Sequence, residues 1–440
     1  MTEKNIELKK ELMDVAEYAL ELLKTLGATG ATVSAYNGKR DELNVDAGEF
    51  SLVRTTISST FSVSALVGNR YGSAGTNTLD RAAVEKACRD AYASAQMSEP
   101  DDAQVISPSI GDYDFTREES SDDIEQLYDR ITEFMTDVKR DYPLIDIVQF
   151  IAARTNGTSV TANSNGTRVF TTSNAFGGSA TVCARDGDKV SAMSGVGFSD
   201  ISLGKPIIDY PETRRTLDEL QRQIETVPYE GKIVGTVLFP PDMVHQFLLF
   251  IQNNCLSGAA LIGGTSPWKD KLGEKVADEK LTVVMDKSDE RLFPSATLTN
   301  DLYFSKKHTI IENGVLMNFA LNQYSALKTG QQRADDDSGL YIVEGGDAAL
   351  DDIIAGIEDG ILVNRFSGGS PSPDGSFSGV AKNSFIIKNG KIGEALSETM
   401  IAGSFLDMFN NIVAISSETV QDGSRVMPWM AFNGVTISGK

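Results

Sequence analysis

The stretch Met243 to Gly258 reads MVHQFLLFIQNNCLSG and places a histidine, a glutamine and a cysteine on a segment with helical spacing. A zinc helix of the H-E-x-x-H type works because residues i and i+4 share a face while the intervening glutamate activates water. Counted from His245, the next position is Gln246, an amide that cannot serve as a general base, and the i+4 position is Leu249. The other histidine, His308, stands in KKHTII ahead of a strand. A lone histidine on an apolar helix is as a rule a partly buried structural residue. In its own register this stretch is not a metal helix.

Other chemistries fare similarly. Cys255 follows His245 by ten residues, a rise of roughly 15 Å along one helix, too far for a hydrogen-bonded dyad; a buried cysteine is the plainer reading. Gly258, Gly263 and Gly264 frame no G-x-S-x-G nucleophile elbow. The glycine-rich SGGSPSPDGSFSG at 367–379 lacks the P-loop lysine and runs on into a strand. The acidic run RADDDSG at 333–339 lacks the EF-hand pattern and reads as a solvated surface turn. A metal site built from distant segments, with His245, His308 and carboxylates such as Asp242 as ligands, stays open as an alternative.

The elements that must position these residues fall into two halves of a 440-residue chain, more than one core usually serves. Helices are expected over 3–26, from about 79 to 97, over SSDDIEQLYDRITEFMTDVKR and near 211–227. Short strands fill the rest of the first half, with turns at Asn37-Gly38, Ala47-Gly48, Asn-Gly at 156 and 165, and Asp-Gly at 186. Residues 99–114 read as an exposed connection. Beyond 231 the strands lengthen, with hairpins at Asn313-Gly314 and Asn389-Gly390. The expected class is α+β: an N-terminal domain of mixed helices and antiparallel sheet over 1–228 (segments 1–98 and 113–228), then a β-rich, barrel-like domain over 231–440.

A formal net charge of −22 repels phosphate backbones and anionic lipid, which disfavours direct nucleic-acid or membrane contact. Three scattered cysteines, Cys88, Cys183 and Cys255, form no disulfide framework and no CxxC pair. The opening MTEKNIELKKELMD has no apolar signal region, and runs such as FLLFI are too short to span a bilayer. A cytoplasmic protein is expected.

The segments FSLVRTTISSTFSVSALVGNRYGSAGTNTLD, LSGAALIGGTSPWKDKLGEKVADEKLTVVMD, IIENGVLMNFALNQYSALKTG, FSGGSPSPDGSFSG and IAGSFLDMFNNI occur in the order seen in the TldD/PmbA family, often labelled modulators of DNA gyrase. The chain resembles that family over most of its length. TldD-like members resemble zinc peptidases with an H-E-x-x-x-H helix and a C-terminal cysteine ligand; PmbA-like members, also called TldE, lack these. The resemblance puts Leu249, Phe250 and Asn254 at the His, Glu and His positions, and the segment SSETVQDGSRVMPWMAFNGVTISGK holds no cysteine. It therefore implies a PmbA-like branch with no catalytic or metal residue carried over and no cofactor in this chain. Zinc is expected in a TldD-like catalytic partner. Further implied partners are unfolded peptides, bound by strand addition at an unpaired edge of the C-terminal domain, and a second copy when the chain is alone. The alternatives are a metallopeptidase with atypical ligands and a protein-to-protein modulator of gyrase.

Overall fold

The computed structural model describes residues 3–117, 120–294, 296–368, 371–397 and 399–439. Helix α1 (Glu3–Leu26) precedes strands β1 (Gly30–Asp46), β2 (Glu49–Val67) and β3 (Arg70–Thr76). Helix α2 (Arg81–Met97), strand β4 (Asp112–Phe115) and helix α3 (Ile124–Asp141) follow. Strands β5 (Ile145–Asn163), β6 (Arg168–Asp186) and β7 (Ser194–Asp200) lead to helix α4 (Thr213–Arg222). The strands form one sheet in the order β3-β2-β1-β5-β6, with β4 and β7 both paired to β6.

Alternation decides which face is covered. Val33, Ala35, Leu43 and Val45 are buried odd-numbered residues of β1 and so share a face. Helices α1 and α2 cover the first two; α3 and α4 belong to the core that takes the last two. Helix α3 starts where its sequence says it should. The Asp123 carboxylate accepts from the Glu125 and Gln126 amides, and Gln126 closes a reciprocal capping box.

Several expected turns are not turns. Asn37-Gly38 and Asn156-Gly157 lie inside β1 and β5, so the expected short strands fuse into strands of 17 and 19 residues. Gly38 and Gly157 sit directly opposite each other, beneath the side chain of Tyr36. A Cβ added at Gly38 would lie 2.0 Å from the Tyr36 hydroxyl oxygen, and one at Gly157 would lie 2.8 Å from its ring. These glycines make room for an aromatic cover across the ladder rather than supply a left-handed backbone. Likewise FSLVRTTI and FSVSALV are parts of the single strand β2. True left-handed turns stand at Ala47-Gly48, Asn313-Gly314 and Asn389-Gly390.

Two further corrections have local causes. The helix expected near 211–227 ends at Arg222, and Val227–Pro228 is extended, pairing with Leu396–Ser397 of the second sheet; a residue before proline avoids the helical region. The connection over 99–114 is not simply exposed: Ala103 is buried, and the buried Asn163 donates to the Ser107 carbonyl at 3.1 Å.

The second half contains strand β8 (Lys232–Phe239), helices α5 (Pro241–Ile251) and α6 (Gly258–Ile262), and strands β9 (Asp359–Gly368), β10 (Ser376–Lys388) and β11 (Thr399–Ser404). Helix α7 (Phe405–Asn410) and strand β12 (Val426–Ser438) follow, with shorter elements between them and the strands before. Strand β8 pairs with β12 and β9, β9 with β10, β10 with β11, and β11 returns to β12, which closes a ring. The chain is therefore α+β, with a barrel in its C-terminal half. Among the described residues the second sheet ends in two-residue strands, Val315–Leu316 and Val227–Pro228. A longer free edge lies in the first sheet. Strand β3 covers only Phe61–Val67 of β2, and no described strand pairs with the outer side of Glu49–Thr60.

Replacing Tyr36 by Ala removes the cover over the paired glycines and is expected to cost about 1 kcal/mol, whereas Tyr36→Phe keeps the ring and most of the stability. Denaturant unfolding of both variants checks this; equal losses would contradict the role of the ring.

Candidate functional site

Helix α5 begins at the Pro240-Pro241 break, with proline in its first turn, where a missing N–H costs nothing. It buries Met243, Val244, Phe247, Leu248 and Ile251. The single helix expected through Gly258 is interrupted. Residues Gln252–Leu256 form a π-helical turn, and Ser257 then caps α6 by accepting from the Ala260 amide. Such wide turns often mark functional positions in helices. Here the turn buries Cys255 and Leu256. Tyr341 donates to the Gln252 side-chain oxygen at 2.6 Å, and Ser266 donates to the Cys255 carbonyl at 2.6 Å. Burial pushes the Cys255 thiol up to about 12, so it is no nucleophile near neutral pH.

Leu249, Phe250 and Asn254, the positions expected from the resemblance to match His, Glu and His, lie around this turn. Leu249 is 37% exposed and carries only hydrocarbon. Phe250 meets Phe405 edge-on at a centroid distance of 4.2 Å. The Asn254 amide nitrogen donates back to the Phe250 carbonyl at 3.0 Å. Neighbouring Phe247 touches Phe377 and Phe405, and Phe366 packs on Phe377. The region is an aromatic wall, and its side chains do not fit a zinc ion: two present no lone pair, and the third is an amide turned onto its own helix. Part of the facing 367–379 loop, Gly369 and Ser370, lies outside the described residues.

The other candidate ligands are separated. Asp242 and His245 share α5 and one guanidinium. Arg425 donates to His245 Nδ1 at 2.9 Å and to Asp242 at 2.6 Å, and it pairs with Asp422 at 2.9 Å. An arginine always donates, so His245 accepts through Nδ1 as a neutral ring. Burial, reinforced by Arg425, lowers its pKa to about 4. His308 is buried on the strand His308–Glu312, with Nε2 donating to the Phe319 carbonyl at 3.0 Å and Nδ1 accepting from the Asp335 amide at 3.3 Å. Both its nitrogens are spent on backbone. No group of three or more His, Cys, Asp or Glu among the described residues is arranged to hold a metal ion.

RADDDSG is not a solvated turn. Asp336 is fully buried and accepts from the Lys287 amide, the Ser305 hydroxyl and the Ser338 amide at 3.0, 2.8 and 2.8 Å. Its carboxylate gathers three loop segments, a role that charge and spacing do not announce. Arg425 was equally silent in sequence: an arginine 180 positions beyond His245 gives no periodic signal.

A β-rich barrel thus abuts a helix-covered sheet, with a broken apolar helix against the barrel. The family model for the PmbA/TldA metallopeptidase C-terminal domain matches residues 231–439, and that for domain 1 of the same metallopeptidases matches residues 31–95. A metalloprotease PmbA homolog of Haemophilus influenzae is 24% identical over 97% of both chains. A metalloprotease of Methanocaldococcus jannaschii is 25% identical over 41% of this chain, which there spans only 43% of the relative's length. The crystal structure of TldE from Thermococcus kodakarensis superposes with a TM-score of 0.83 at 19% identity, covering 98% of this chain and 100% of that one. The chain belongs to the TldD/PmbA family. No helix among the described residues is long and apolar enough to cross a membrane.

The depressed pKa of His245 has a sign that can be checked. Its folded value, about 4, lies below the unfolded value of about 6.5. The unfolded chain therefore binds more protons between these values, and the stabilising contribution present above about pH 6.5 is lost as pH falls toward 4. The melting temperature of His245→Gln should fall less than that of the unsubstituted chain between pH 7 and about 4.5. Identical pH dependence would contradict the assignment.

Proposed function

We propose that this chain is a PmbA/TldE-like, non-catalytic subunit that pairs in the cytoplasm with a zinc-bearing TldD-like chain and helps process or degrade unfolded peptides. The observation that carries the reading is the content of the three family positions. Leu249, Phe250 and Asn254 supply hydrocarbon, an aromatic ring packed on Phe405, and an amide bonded within its own helix. A subunit of this kind contributes scaffold and surface, while the partner contributes zinc.

The free edge of β2 supports the peptide side of this reading. Over Glu49–Thr60 it offers unpaired main-chain groups, flanked by Val53 and Ile57 at 69% and 70% exposure. Proteins usually blunt such edges with lysine, proline or a covering element. Left open, the edge can take an extended peptide by main-chain pairing, which tolerates many sequences. This edge belongs to the N-terminal sheet rather than to the C-terminal domain.

The test is reconstitution. Alone, the purified chain should leave an unfolded reporter peptide intact. Co-expressed with a TldD-like chain carrying H-E-x-x-x-H, it should elute as a complex that cleaves the peptide and loses activity when the partner's motif glutamate is changed to glutamine. Unaided cleavage by this chain would overturn the reading, as would failure to associate with any TldD-like chain found in the same genome.

A further inference from the structure

Helix α4, strand β7 and the barrel line two adjoining clefts, of about 70 and 280 Å3, whose linings share Gly195, Glu212, Thr216 and Asp242. Their walls carry four carboxylates, Glu212, Glu219, Asp242 and Asp422, against the guanidiniums of Arg215 and Arg425. A carboxylate cluster alone defines no site. The hydrogen-bond accounting of the smaller cavity is the second observation.

Arg215 donates to Glu212, Glu219 and Asn364 at 2.7, 2.5 and 3.2 Å, and its guanidinium lies 4.4 Å from the centre of the Trp429 ring. The Asn364 amide nitrogen donates to Glu219 and to the Asn383 carbonyl at 2.6 and 2.9 Å. Gln223 donates to the Ser384 carbonyl at 3.0 Å. Both N–H groups of the Asn364 amide and the Arg215 guanidinium face are thus committed to neighbours within the wall. Both Arg215 contacts to Glu212 fall on Oε2, leaving Oε1 without a described donor. Asn383 is 7% exposed, and its side-chain oxygen has no described partner. Its nitrogen faces the Met193 carbonyl at 3.5 Å, so turning the amide over would set two oxygens against each other. A buried amide oxygen without a donor, in a wall that also carries the free Glu212 Oε1, can take a ligand that brings N–H groups.

The larger cavity supplies the shape. Strand β7 pairs with β6 alone, and its consecutive residues Gly195 to Ser199 line the cavity. A Cβ built on Gly195 would meet nothing closer than the Ser179 hydroxyl at 4.0 Å, so a chain can approach the backbone there.

We propose that this cleft binds a primary ammonium group carried on an extended chain, with Glu212 and Asn383 holding the ammonium and the free edge of β7 receiving the chain behind it. An ammonium brings three donors and a single positive charge, which suits the free oxygens of Glu212 and Asn383 beside two arginines. A divalent metal suits it poorly, since both guanidiniums repel it. Burial also raises the Glu212 carboxyl above the usual carboxylate range despite Arg215, so an arriving cation stabilises its anion. The α-ammonium of a peptide and the ε-ammonium of a lysine side chain share this chemistry. The cleft is built within one chain, so the proposal stands apart from the peptidase reading.

Isothermal titration of the intact chain tests it with three probes: tetra-alanine amide, its N-acetylated form, and N-acetyl-lysine methylamide. At least one ammonium probe should bind, and acetyl-tetra-alanine amide should bind about tenfold more weakly than that probe. Glu212→Gln and Asn383→Gly, the latter keeping the left-handed backbone open, should each weaken the ammonium probe by about tenfold with unchanged circular dichroism. Binding of tetra-alanine amide alone assigns the site to peptide N-termini, and binding of the lysine probe alone assigns it to side chains. Equal binding of the acetylated peptide, no binding of either ammonium probe at millimolar concentration, or folded variants that bind as well as the parent would overturn it.

Discussion

The edge-on contact of Phe250 with Phe405 sets the terms for the rest of the C-terminal half. Helix α5 is fastened to the barrel through rings: Phe247 reaches Phe239, Phe377 and Phe405, and Phe250 closes the row at 4.2 Å from Phe405. Aromatic pairs of this kind contribute through area and through quadrupole geometry. They also exclude chemistry. A carboxylate in place of Phe250 would press its charge against the Phe405 ring, at a desolvation cost that only a bound cation offsets. The wall and a catalytic carboxylate are therefore alternative uses of the same position.

The π-helical turn follows from the same fastening. Apolar residues from Met243 to Ile251 hold α5 in one rotational setting, and the wide turn re-phases the chain so that Cys255 and Leu256 also face inward. Cys255 then contributes packing and a carbonyl acceptor for Ser266, not a thiolate. On the far side of the helix, the Arg425 cluster ties Asp242 and His245 to the segment leading into β12. The two halves of the chain meet through polar contacts: Arg215 on Asn364, Gln223 on Ser384, Arg117 on the Pro294 carbonyl and Tyr324 on Asp101. Away from a small apolar cluster that joins Val169 to Leu298 and Leu302, these polar contacts leave the cleft beside α4 furnished for recognition.

Much of the fold was legible because it rests on local rules. The amphipathic period of α1, the capping residues of α3 and the Asn-Gly hairpins at 313 and 389 are properties of a few consecutive residues. The misread Asn-Gly pairs fail for a non-local reason: Gly38 and Gly157 face each other across two strands, 119 positions apart, and one tyrosine covers both. Asp336 was misread as solvated because two of its three partners, Lys287 and Ser305, come from segments that sequence cannot place beside it. The apolar run from Met243 to Ile251 was legible as a helix, and its buried face follows from that spacing. The unpaired oxygens of Glu212 and Asn383 were not legible, since they depend on which donors distant segments bring beside them.

The claim most open to a direct check is that the α5 region of this chain does not hold zinc. Plasma emission spectroscopy on the purified chain, equilibrated with micromolar zinc and then dialysed, measures it without reference to activity. The account predicts zinc far below one equivalent per chain, with unchanged thermal stability on adding a chelator. One equivalent of zinc that survives dialysis and whose removal lowers the melting temperature would contradict it.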